Sequence, residues 1–163
     1  MSNLLILGAG QYGSVACDIA KSTGHFGKID FLDDNNPVAI GKISDYSKFS
    51  GEYSHAVVAI GNPEIRLRIL ENLKNADFNI SPLISPLAFV SDSARISDGA
   101  IIEPMAVVNA NAVIEMGCII SAGAVVNHNA VVEKGCHVDC NATVCARGIV
   151  KEKTKIPCGK ISE

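Results

Sequence analysis

Residues 102–138 read IEPMAVVNANAVIEMGCIISAGAVVNHNAVVEKGCHV, and every sixth residue of this stretch is Ile or Val. Four places after each Ile or Val of this stretch comes Ala or Cys. A strict period of six, with one large and one small position, predicts a β-solenoid over residues 81–163. The β-branched series has thirteen members: Ile84, Val90, Ile96, Ile102, Val108, Ile114, Ile120, Val126, Val132, Val138, Val144, Val150 and Ile156.

The hexads also predict how the solenoid turns. β-Branched residues favour short strands, and the small residue lies where the chain rounds a corner and has no room for more. Three places after the Ile or Val, eight of the thirteen hexads carry Gly or Asn, which tolerate the positive φ of a sharp corner. Three hexads make one triangular coil, so the series predicts a little over four coils. The small position departs from the pattern at Thr154 and Lys160, where we expect the register to be lost.

The residue before each Ile or Val points outward, because side chains alternate along a strand. Exposed apolar columns are unusual on a monomer and predict a subunit interface. Two columns are largely apolar: Phe89, Val107, Val125 and Thr143 in one, and Arg95, Val113, Val131 and Ile149 in the other. The third becomes polar part-way along, which suits an anionic ligand; it reads Ile101, Ile119, His137 and Lys155.

The first 80 residues predict a Rossmann-like α/β unit that precedes the solenoid. Its first strand leads directly into GAGQYG, residues 8–13, and then into a helix. Glycines in this Gly-x-Gly-x-x-Gly arrangement allow a tight turn and let a phosphate approach the helix N-terminus. We expect strands at 3–7, 28–32 and 56–60, and helices at 14–21 and 63–76.

Two further turns of this unit carry polar residues. Asp33 and Asp34 follow the second strand, where a Rossmann fold carries an acidic residue. Asn62 is a good N-cap and Pro63 a good first helical residue after the third strand. Only three or four strands precede the solenoid, half of a dinucleotide fold, so an NAD-dependent oxidoreductase is disfavoured and a mononucleotide fits better. The alternative is that the glycines only pack strand against helix.

Composition excludes several classes of function. The 163 residues have a net charge of −3 and are 48% hydrophobic, with no basic patch that would suit nucleic acid. No apolar run approaches the roughly 18 residues of a membrane span, and the N-terminus lacks the features of a signal peptide. We therefore expect a cytoplasmic protein without membrane insertion. The six cysteines lack zinc-ligand spacing and are expected to be reduced core residues; they are Cys17, Cys118, Cys136, Cys140, Cys145 and Cys158.

The combination of GAGQYG, the strand FLDD, the AIGN turn with Arg66 after it, and the hexapeptide block with NHN resembles a known family. That family is the hexapeptide-repeat sugar acetyltransferases, which include bacterial UDP-4-amino-sugar acetyltransferases and sialic acid O-acetyltransferases. The resemblance covers nearly the whole chain. It implies a left-handed parallel β-helix, a homotrimer with sites between subunits, acetyl-CoA as co-substrate with no metal, and a role in surface glycan biosynthesis.

The resemblance also implies roles for individual residues. His128 corresponds to the general base that deprotonates the acceptor amine or hydroxyl, and Asn129 follows it. His137 corresponds to a histidine near the acetyl group of the cofactor, and a backbone N–H near Ala146 would stabilise the oxyanion. The N-terminal unit is expected to hold the nucleotide sugar, with glycines at the phosphates and acids at the base. The expected substrate-binding residues are Gly8, Gly10, Gln11, Tyr12, Gly13, Asp33, Asp34, Gly61 and Asn62.

Two features keep an alternative open. Many relatives carry Asp or Glu where this chain has Asn129, and their solenoids usually continue for another coil or more. A catalytically weak or inactive trimer that binds nucleotide sugars is therefore the second hypothesis. A zinc hydrolase of the carbonic anhydrase type is the third; it needs three histidines, and the solenoid contains only His128 and His137.

Overall fold

The structure is a computed structural model that describes residues 1–163. The chain divides into two compact units, Met1–Ser81 and Pro82–Glu163. No helix in either unit is long and apolar enough to cross a bilayer. The first unit is a small α/β domain and the second is a repetitive all-β domain.

The first unit contains a three-stranded parallel sheet in the order β2-β1-β3. Leu4 to Leu7 of the central strand are buried on both faces, as expected when helices cover a parallel sheet. The elements are β1 (Ser2–Leu7), α1 (Gln11–Thr23), β2 (Phe26–Leu32), a 3-10 helix (Ile43–Phe49), β3 (His55–Val58) and α2 (Pro63–Asn75).

Two predicted boundaries of this unit are wrong in an informative way. Helix α1 begins at Gln11, not at Ser14, because Gly10 already serves as its N-cap. Gly13 therefore lies inside the helix, where glycine is intrinsically unfavourable. Strand β3 ends at Val58, two residues before the predicted end. The predicted start of α2 is confirmed: Pro63 is its first residue, and the Asn62 side chain accepts the N–H of Ile65 at 3.0 Å.

The second unit is a parallel β-helix built from two-residue strands. Every strand pairs in parallel with the strand 18 residues away, so three strands and three corners make one coil. The strands are β4 (Leu83–Ile84), β5 (Phe89–Val90), β6 (Arg95–Ile96), β7 (Ile101–Ile102), β8 (Val107–Val108), β9 (Val113–Ile114), β10 (Ile119–Ile120), β11 (Val125–Val126), β12 (Val131–Val132), β13 (His137–Val138), β14 (Thr143–Val144), β15 (Ile149–Val150), β16 (Lys155–Ile156) and β17 (Ile161–Ser162).

Three sheets form the faces of the helix. Face 1 contains β4, β7, β10, β13 and β16; face 2 contains β5, β8, β11, β14 and β17; face 3 contains β6, β9, β12 and β15. The second residue of each strand points inward, and Ile102 through Val144 of this series are fully buried together with the small residues. Each such Ile or Val contributes about 1.5–3 kcal/mol by leaving water.

The backbone conformation at the corners explains why Gly and Asn recur three places after the Ile or Val. Eleven of the thirteen corner residues have a positive φ, including all eight predicted Gly and Asn positions, with Asn129 at 57°. The others are Met105, Arg147 and Lys153, which adopt this conformation without the help of glycine or asparagine. The β-helix geometry therefore overrides the intrinsic preference of these side chains.

The expected loss of register at Thr154 and Lys160 is wrong. The backbone carbonyl of Thr154 accepts the backbone N–H of His137, and the backbone carbonyl of Lys160 accepts that of Thr143. The ladder of backbone hydrogen bonds therefore continues to Ser162. Backbone pairing does not require a small apolar residue at these positions. Thr154 is half-buried and Lys160 exposed, so the polar side chains at the final coil are not forced into the core.

The three outward columns differ in exposure. Val107 and Val125 of face 2 and Val113 and Val131 of face 3 are half-buried, whereas Phe89, Ile149 and Ile161 are more than half exposed. Face 1 behaves differently: Ile101 and Ile119 are fully buried, and only from His137 onward does the column become accessible. The two apolar faces thus remain candidates for a subunit interface, while the outward column of face 1 becomes polar from His137 onward.

Candidate functional site

The Gly-rich turn of the first unit requires glycine at its first and last positions. Gly8 has a φ of 106°, and a Cβ on it would lie 2.7 Å from the carbonyl oxygen of Ala59. A Cβ on Gly13 would lie 2.2 Å from the carbonyl oxygen of Gly8, so this helical glycine allows α1 to approach the turn closely. Gly10 is different, because nothing lies within 4 Å of its Cβ position. The turn therefore leaves open space at Gly10, in front of the N-terminus of α1.

Asp33 holds this turn in place. One of its carboxylate oxygens accepts the N–H of Ala9 at 2.8 Å, and the other accepts the N–H groups of Asn35 and Asn36 at 2.9 Å. These donors, Ala9 first, lower the pKa of the Asp33 carboxyl below its usual range. The side-chain amide of Asn36 adds a further hydrogen bond between the same loops, because it donates to the carbonyl of Ala9 at 2.6 Å. Asp33 is thus committed to joining the two loops that end β1 and β2.

Asp34, the other predicted acid, is exposed and borders a cavity of about 490 Å³. One oxygen of its carboxylate accepts the N–H of Ile43 at 3.1 Å. This volume lies within the range of small-molecule sites, and the cavity combines apolar walls with one acid and one base. It is lined by Asp34, Ile43, Ser44, Tyr46, Ile65, Arg68, Ile69 and Asn72. Of the predicted substrate-binding residues only Asp34 lines it; Gln11 is exposed and Tyr12 half-buried within α1.

The turn after β3 is fixed by an arginine whose role the sequence did not reveal. Arg66 is fully buried in α2, and its guanidinium donates to the carbonyl oxygens of Ile60 at 2.6 Å and Gly61 at 2.9 Å. With the Asn62 cap, this arginine holds the turn rigid while Gly61 and Asn62 stay exposed. Its position one helical turn into α2 is the signal that could have indicated this role.

In the β-helix, His128 occupies the corner between faces 2 and 3. It is exposed, and its backbone N–H donates to the side-chain oxygen of Asn127 at 2.8 Å. The same oxygen accepts from the Asn109 amide one coil earlier, at 3.3 Å. The Asn129 amide nitrogen lies 3.1 Å from Nδ1 of His128. Asn127 therefore holds the backbone of His128, whereas Asn129 contacts its imidazole ring.

Ala146 lies one coil after His128 at the same corner. The carbonyl of His128 accepts the N–H of Arg147 at 3.1 Å, which stacks the two corners, and neighbouring coils are about 4.8 Å apart. Ala146 is exposed, and its own N–H makes no hydrogen bond to the protein. The corner thus offers a ring nitrogen and an available backbone donor on adjacent coils.

His137 lies nine residues after His128, which is half a coil, and projects from face 1. Its Nε2 lies 2.9 Å from the Ser121 hydroxyl and 3.7 Å from an oxygen of Asp139. Within one chain, His137 therefore lies on face 1, whereas His128 lies at the corner between faces 2 and 3. The two histidines do not form one site in a single chain.

A buried carboxylate stands behind His137. Glu103 is 6% exposed and accepts the Ser121 hydroxyl at 3.1 Å and the N–H of Ala122 at 3.0 Å. Because a serine hydroxyl has one proton and the carboxylate only accepts, Ser121 accepts from Nε2–H of His137. Sequence reasoning missed this chain of contacts, although the 18-residue spacing from Glu103 to Ser121 would have aligned them.

Comparison with known proteins agrees with this architecture. The family described as PglD N-terminal domain matches residues 3–73. The acetyltransferase domain of PglB from Neisseria gonorrhoeae FA1090, solved in complex with acetyl coenzyme A, is 33% identical; the match covers 98% of this chain and 80% of that chain, with a TM-score of 0.92. Comparison with the curated proteins yields no match.

More distant structures share the fold. PerB from Caulobacter crescentus, in complex with CoA and GDP-perosamine, is 17% identical over 100% of this chain and 92% of that chain, with a TM-score of 0.69. WeeI from Acinetobacter baumannii AYE is 17% identical over 99% and 88%, with a TM-score of 0.70.

A Rossmann-like unit followed by a left-handed parallel β-helix of hexapeptide repeats defines a class of acyltransferases, and the predicted fold is confirmed. The chain belongs to the hexapeptide-repeat sugar acetyltransferase family. The predicted enzyme class, an acyltransferase, is confirmed with it.

Proposed function

We propose that the protein transfers an acetyl group from acetyl-CoA to an amino or hydroxyl group of a nucleotide-linked sugar. The observation that carries the proposal is the 33% identity over 98% of the chain to an acetyltransferase domain solved with acetyl-CoA. The proposed setting is the cytoplasm, in the biosynthesis of surface glycans. The chemistry needs no metal, because the thioester is already activated and the site supplies a base and a backbone donor.

His128 is the proposed general base. It is exposed at a corner, so an acceptor amine or hydroxyl can reach its ring. Nε2 takes the proton of the acceptor as the acceptor's N or O attacks the thioester carbon. The C–S bond then breaks, and the imidazolium returns the proton to the leaving sulfur as CoA thiol. The Ala146 N–H, one coil away, is the proposed donor to the oxyanion.

This role requires a particular orientation of Asn129. An amide nitrogen beside Nδ1 can only donate, which would leave the proton of a neutral imidazole on Nε2 and block it as a base. A half-turn of the amide presents its oxygen instead, which accepts Nδ1–H and frees Nε2. Carbonyl and amide ends of asparagine are nearly isosteric, so the half-turn changes the hydrogen bonding without changing the packing. The active form has the Asn129 oxygen at Nδ1.

We further propose that the protein acts as a homotrimer with each site between two subunits. The apolar columns of faces 2 and 3, centred on Val125 and Val131, support such an interface. In a trimer, His137 of one subunit can face His128 of its neighbour, although they lie apart in one chain. His137 would then contact the acetyl end of the cofactor, with its tautomer set by Ser121.

The first unit is the proposed nucleotide-sugar site. The space at Gly10 and the N-terminus of α1, which has no acidic residue in its first turn, suit a phosphate. The cavity beside Asp34 and Arg68 offers walls for a base or a sugar. Gly61 and Asn62, exposed in a rigid turn, can contact the ligand through the backbone.

A second candidate function is favoured by one observation. The Asn129 side chain lies 3.1 Å from Nδ1 of His128, and it has no charge with which to stabilise an imidazolium. A protein in which this arrangement persists would bind nucleotide sugars as a trimer and transfer acetyl groups slowly or not at all.

The deciding experiment is a steady-state assay with acetyl-CoA and a panel of UDP- and GDP-linked amino sugars. The release of CoA thiol measures the reaction rate. We expect turnover with at least one sugar and its loss in His128→Ala. His25→Ala, which removes an exposed histidine of the first unit, is the matched control and should keep full activity. Undiminished turnover in His128→Ala would refute the mechanism, and calorimetric nucleotide-sugar binding without turnover would favour the second candidate.

A further inference from the structure

Asp139, Cys140 and Cys158 meet at one corner of the β-helix. Cys140 and Cys158 are 18 residues apart, and the N–H of Gly159 donates to the carbonyl of Cys140 at 2.9 Å, which stacks the two coils. Asp139 and Cys140 directly follow β13 on face 1. Cys140 is half-buried and Cys158 exposed. The corner therefore differs from the buried pair Cys118 and Cys136, whose thiols belong to the core.

The ligand atoms are close enough for one metal ion. A carboxylate oxygen of Asp139 and the two Sγ atoms all lie within 4.8 Å of one another. A tetrahedral zinc ion with Zn–S near 2.3 Å and Zn–O near 2.1 Å separates its ligands by roughly 3.5–3.8 Å. Small rotations about the cysteine χ1 angles close this difference. Two thiolates and a carboxylate are a donor set that favours zinc over magnesium or calcium.

The charges around the corner also fit a divalent cation. Lys155 Nζ lies 2.9 Å from Asp139 Oδ2, and the backbone N–H of Cys140 donates to Oδ1 at 2.8 Å. The carboxylate and two thiolates together carry three negative charges. One zinc ion and the Lys155 ammonium carry three positive charges, so the ion, its three ligands and this lysine are together neutral.

Without metal, the corner resists deprotonation of Cys140. Partial burial, followed by the nearby carboxylates of Glu103 and Asp139, raises the pKa of the Cys140 thiol. A thiol binds zinc only as the thiolate, so metal binding releases protons and the metal affinity rises with pH.

We propose that Asp139, Cys140 and Cys158 bind one Zn²⁺ ion per chain, with water in the fourth position. The ion joins the coil that contains β13 to the coil that contains β16, and so clamps the C-terminal end of the β-helix. It lies beside His137, whose Nε2 is 3.7 Å from Asp139. The site therefore adjoins the proposed cofactor contact at His137, but the ion takes no part in the acetyl-transfer steps proposed above.

The test uses the full chain, reduced and metal-free under anaerobic conditions, titrated with Zn²⁺ and with Co²⁺ as a spectroscopic probe. We expect one equivalent to bind, with the thiolate-to-cobalt charge-transfer band and intense visible bands of a tetrahedral site. Zinc affinity should rise about tenfold per pH unit for each thiol proton displaced. Zinc should also raise the Tm of the chain.

The variants Cys140→Ser and Cys158→Ser should each weaken binding roughly 100-fold. Asp139→Asn should weaken it while leaving the thiolate–cobalt band. Cys145→Ser, which removes a half-buried thiol outside the cluster, is the matched control and should bind as the parent does. Circular dichroism checks that each variant is folded.

Three results would overturn the proposal. The first is the absence of a thiolate–cobalt band in the reduced parent. The second is metal binding of parental affinity in both Cys140→Ser and Cys158→Ser, which would mark the metal as adventitious. The third is a Cys140–Cys158 disulfide whose reduction restores two thiols but no metal binding.

Discussion

Replacing Asn129 with Asp should increase the rate of acetyl transfer. The new side chain has the same shape, but both of its terminal atoms accept hydrogen bonds. It can therefore accept Nδ1–H of His128 in either orientation and keep Nε2 free as the base. Asp also tolerates the left-handed conformation that Asn129 adopts, with φ at 57°, so the corner should be preserved.

The size of the effect follows from the geometry. The amide nitrogen is 3.1 Å from Nδ1, which puts the carboxylate charge about 4 Å from the centre of an imidazolium. Both side chains are exposed, so the dielectric is close to that of water, and the attraction is about 1 kcal/mol. If all of it acts in the transition state, kcat rises about fivefold. Asn129→Ala, which removes both hydrogen bonding and the preference for positive φ, should lower kcat.

The assay measures kcat and KM for both substrates in four proteins: the parent, Asn129→Asp, His128→Ala and the double variant. The gain should appear in kcat and vanish in the His128→Ala background, because the carboxylate acts only through the imidazole. A gain of equal size without His128 would refute the reasoning. So would a large loss of kcat in a folded Asn129→Asp variant.

Three other substitutions test the fold and the site. Gly13→Ala places a Cβ 2.2 Å from the carbonyl oxygen of Gly8 and should lower the free energy of unfolding by about 1–3 kcal/mol, as measured by chemical denaturation. Gly10→Ala adds a Cβ in open space, so it should keep the stability but weaken nucleotide-sugar binding, as measured by calorimetry. Partial burial raises the pKa of Asp139, but the Lys155 ammonium and the backbone N–H of Cys140 outweigh it and lower this pKa to about 2. The metal-free chain should therefore lose the stabilisation from the ionised carboxylate as the pH falls from about 4 to about 2. Asp139→Asn should lack that component of acid unfolding. Val131→Glu should convert the proposed trimer of three 17.1 kDa chains into monomers, as measured by light scattering, and an unchanged mass would remove face 3 from the proposed interface.

Much of the β-helix could be predicted because its rule is local and repeated. The inward Ile or Val and the small corner residue recur every six positions, and every interior position from Ile102 to Val144 is buried as expected. The same rule failed at Thr154 and Lys160 because a polar side chain at the small position does not prevent backbone pairing. At the last coil the ladder needs only N–H and carbonyl groups, and polar side chains there can face water.

The first unit was predicted less sharply because its boundaries depend on contacts between elements. Helix propensity argues against Gly13 inside α1, yet the close approach to Gly8 makes glycine necessary there. The spacing of Asp33 predicts a ligand-binding acid, and that role stays a prediction. In the structure three backbone N–H groups of two loops converge on it, which spacing along the chain does not reveal.

The sequence by itself determined the period, the three faces, the corners and the family, because each depends on residue type at a fixed spacing. Only the tertiary structure decided which side-chain atoms meet. Outward residues do not affect the six-residue rule, so their rotamers and their neighbours one coil away are free to vary. For that reason the Glu103–Ser121–His137 contacts and the corner shared by Cys140 and Cys158 became visible only when successive coils were stacked.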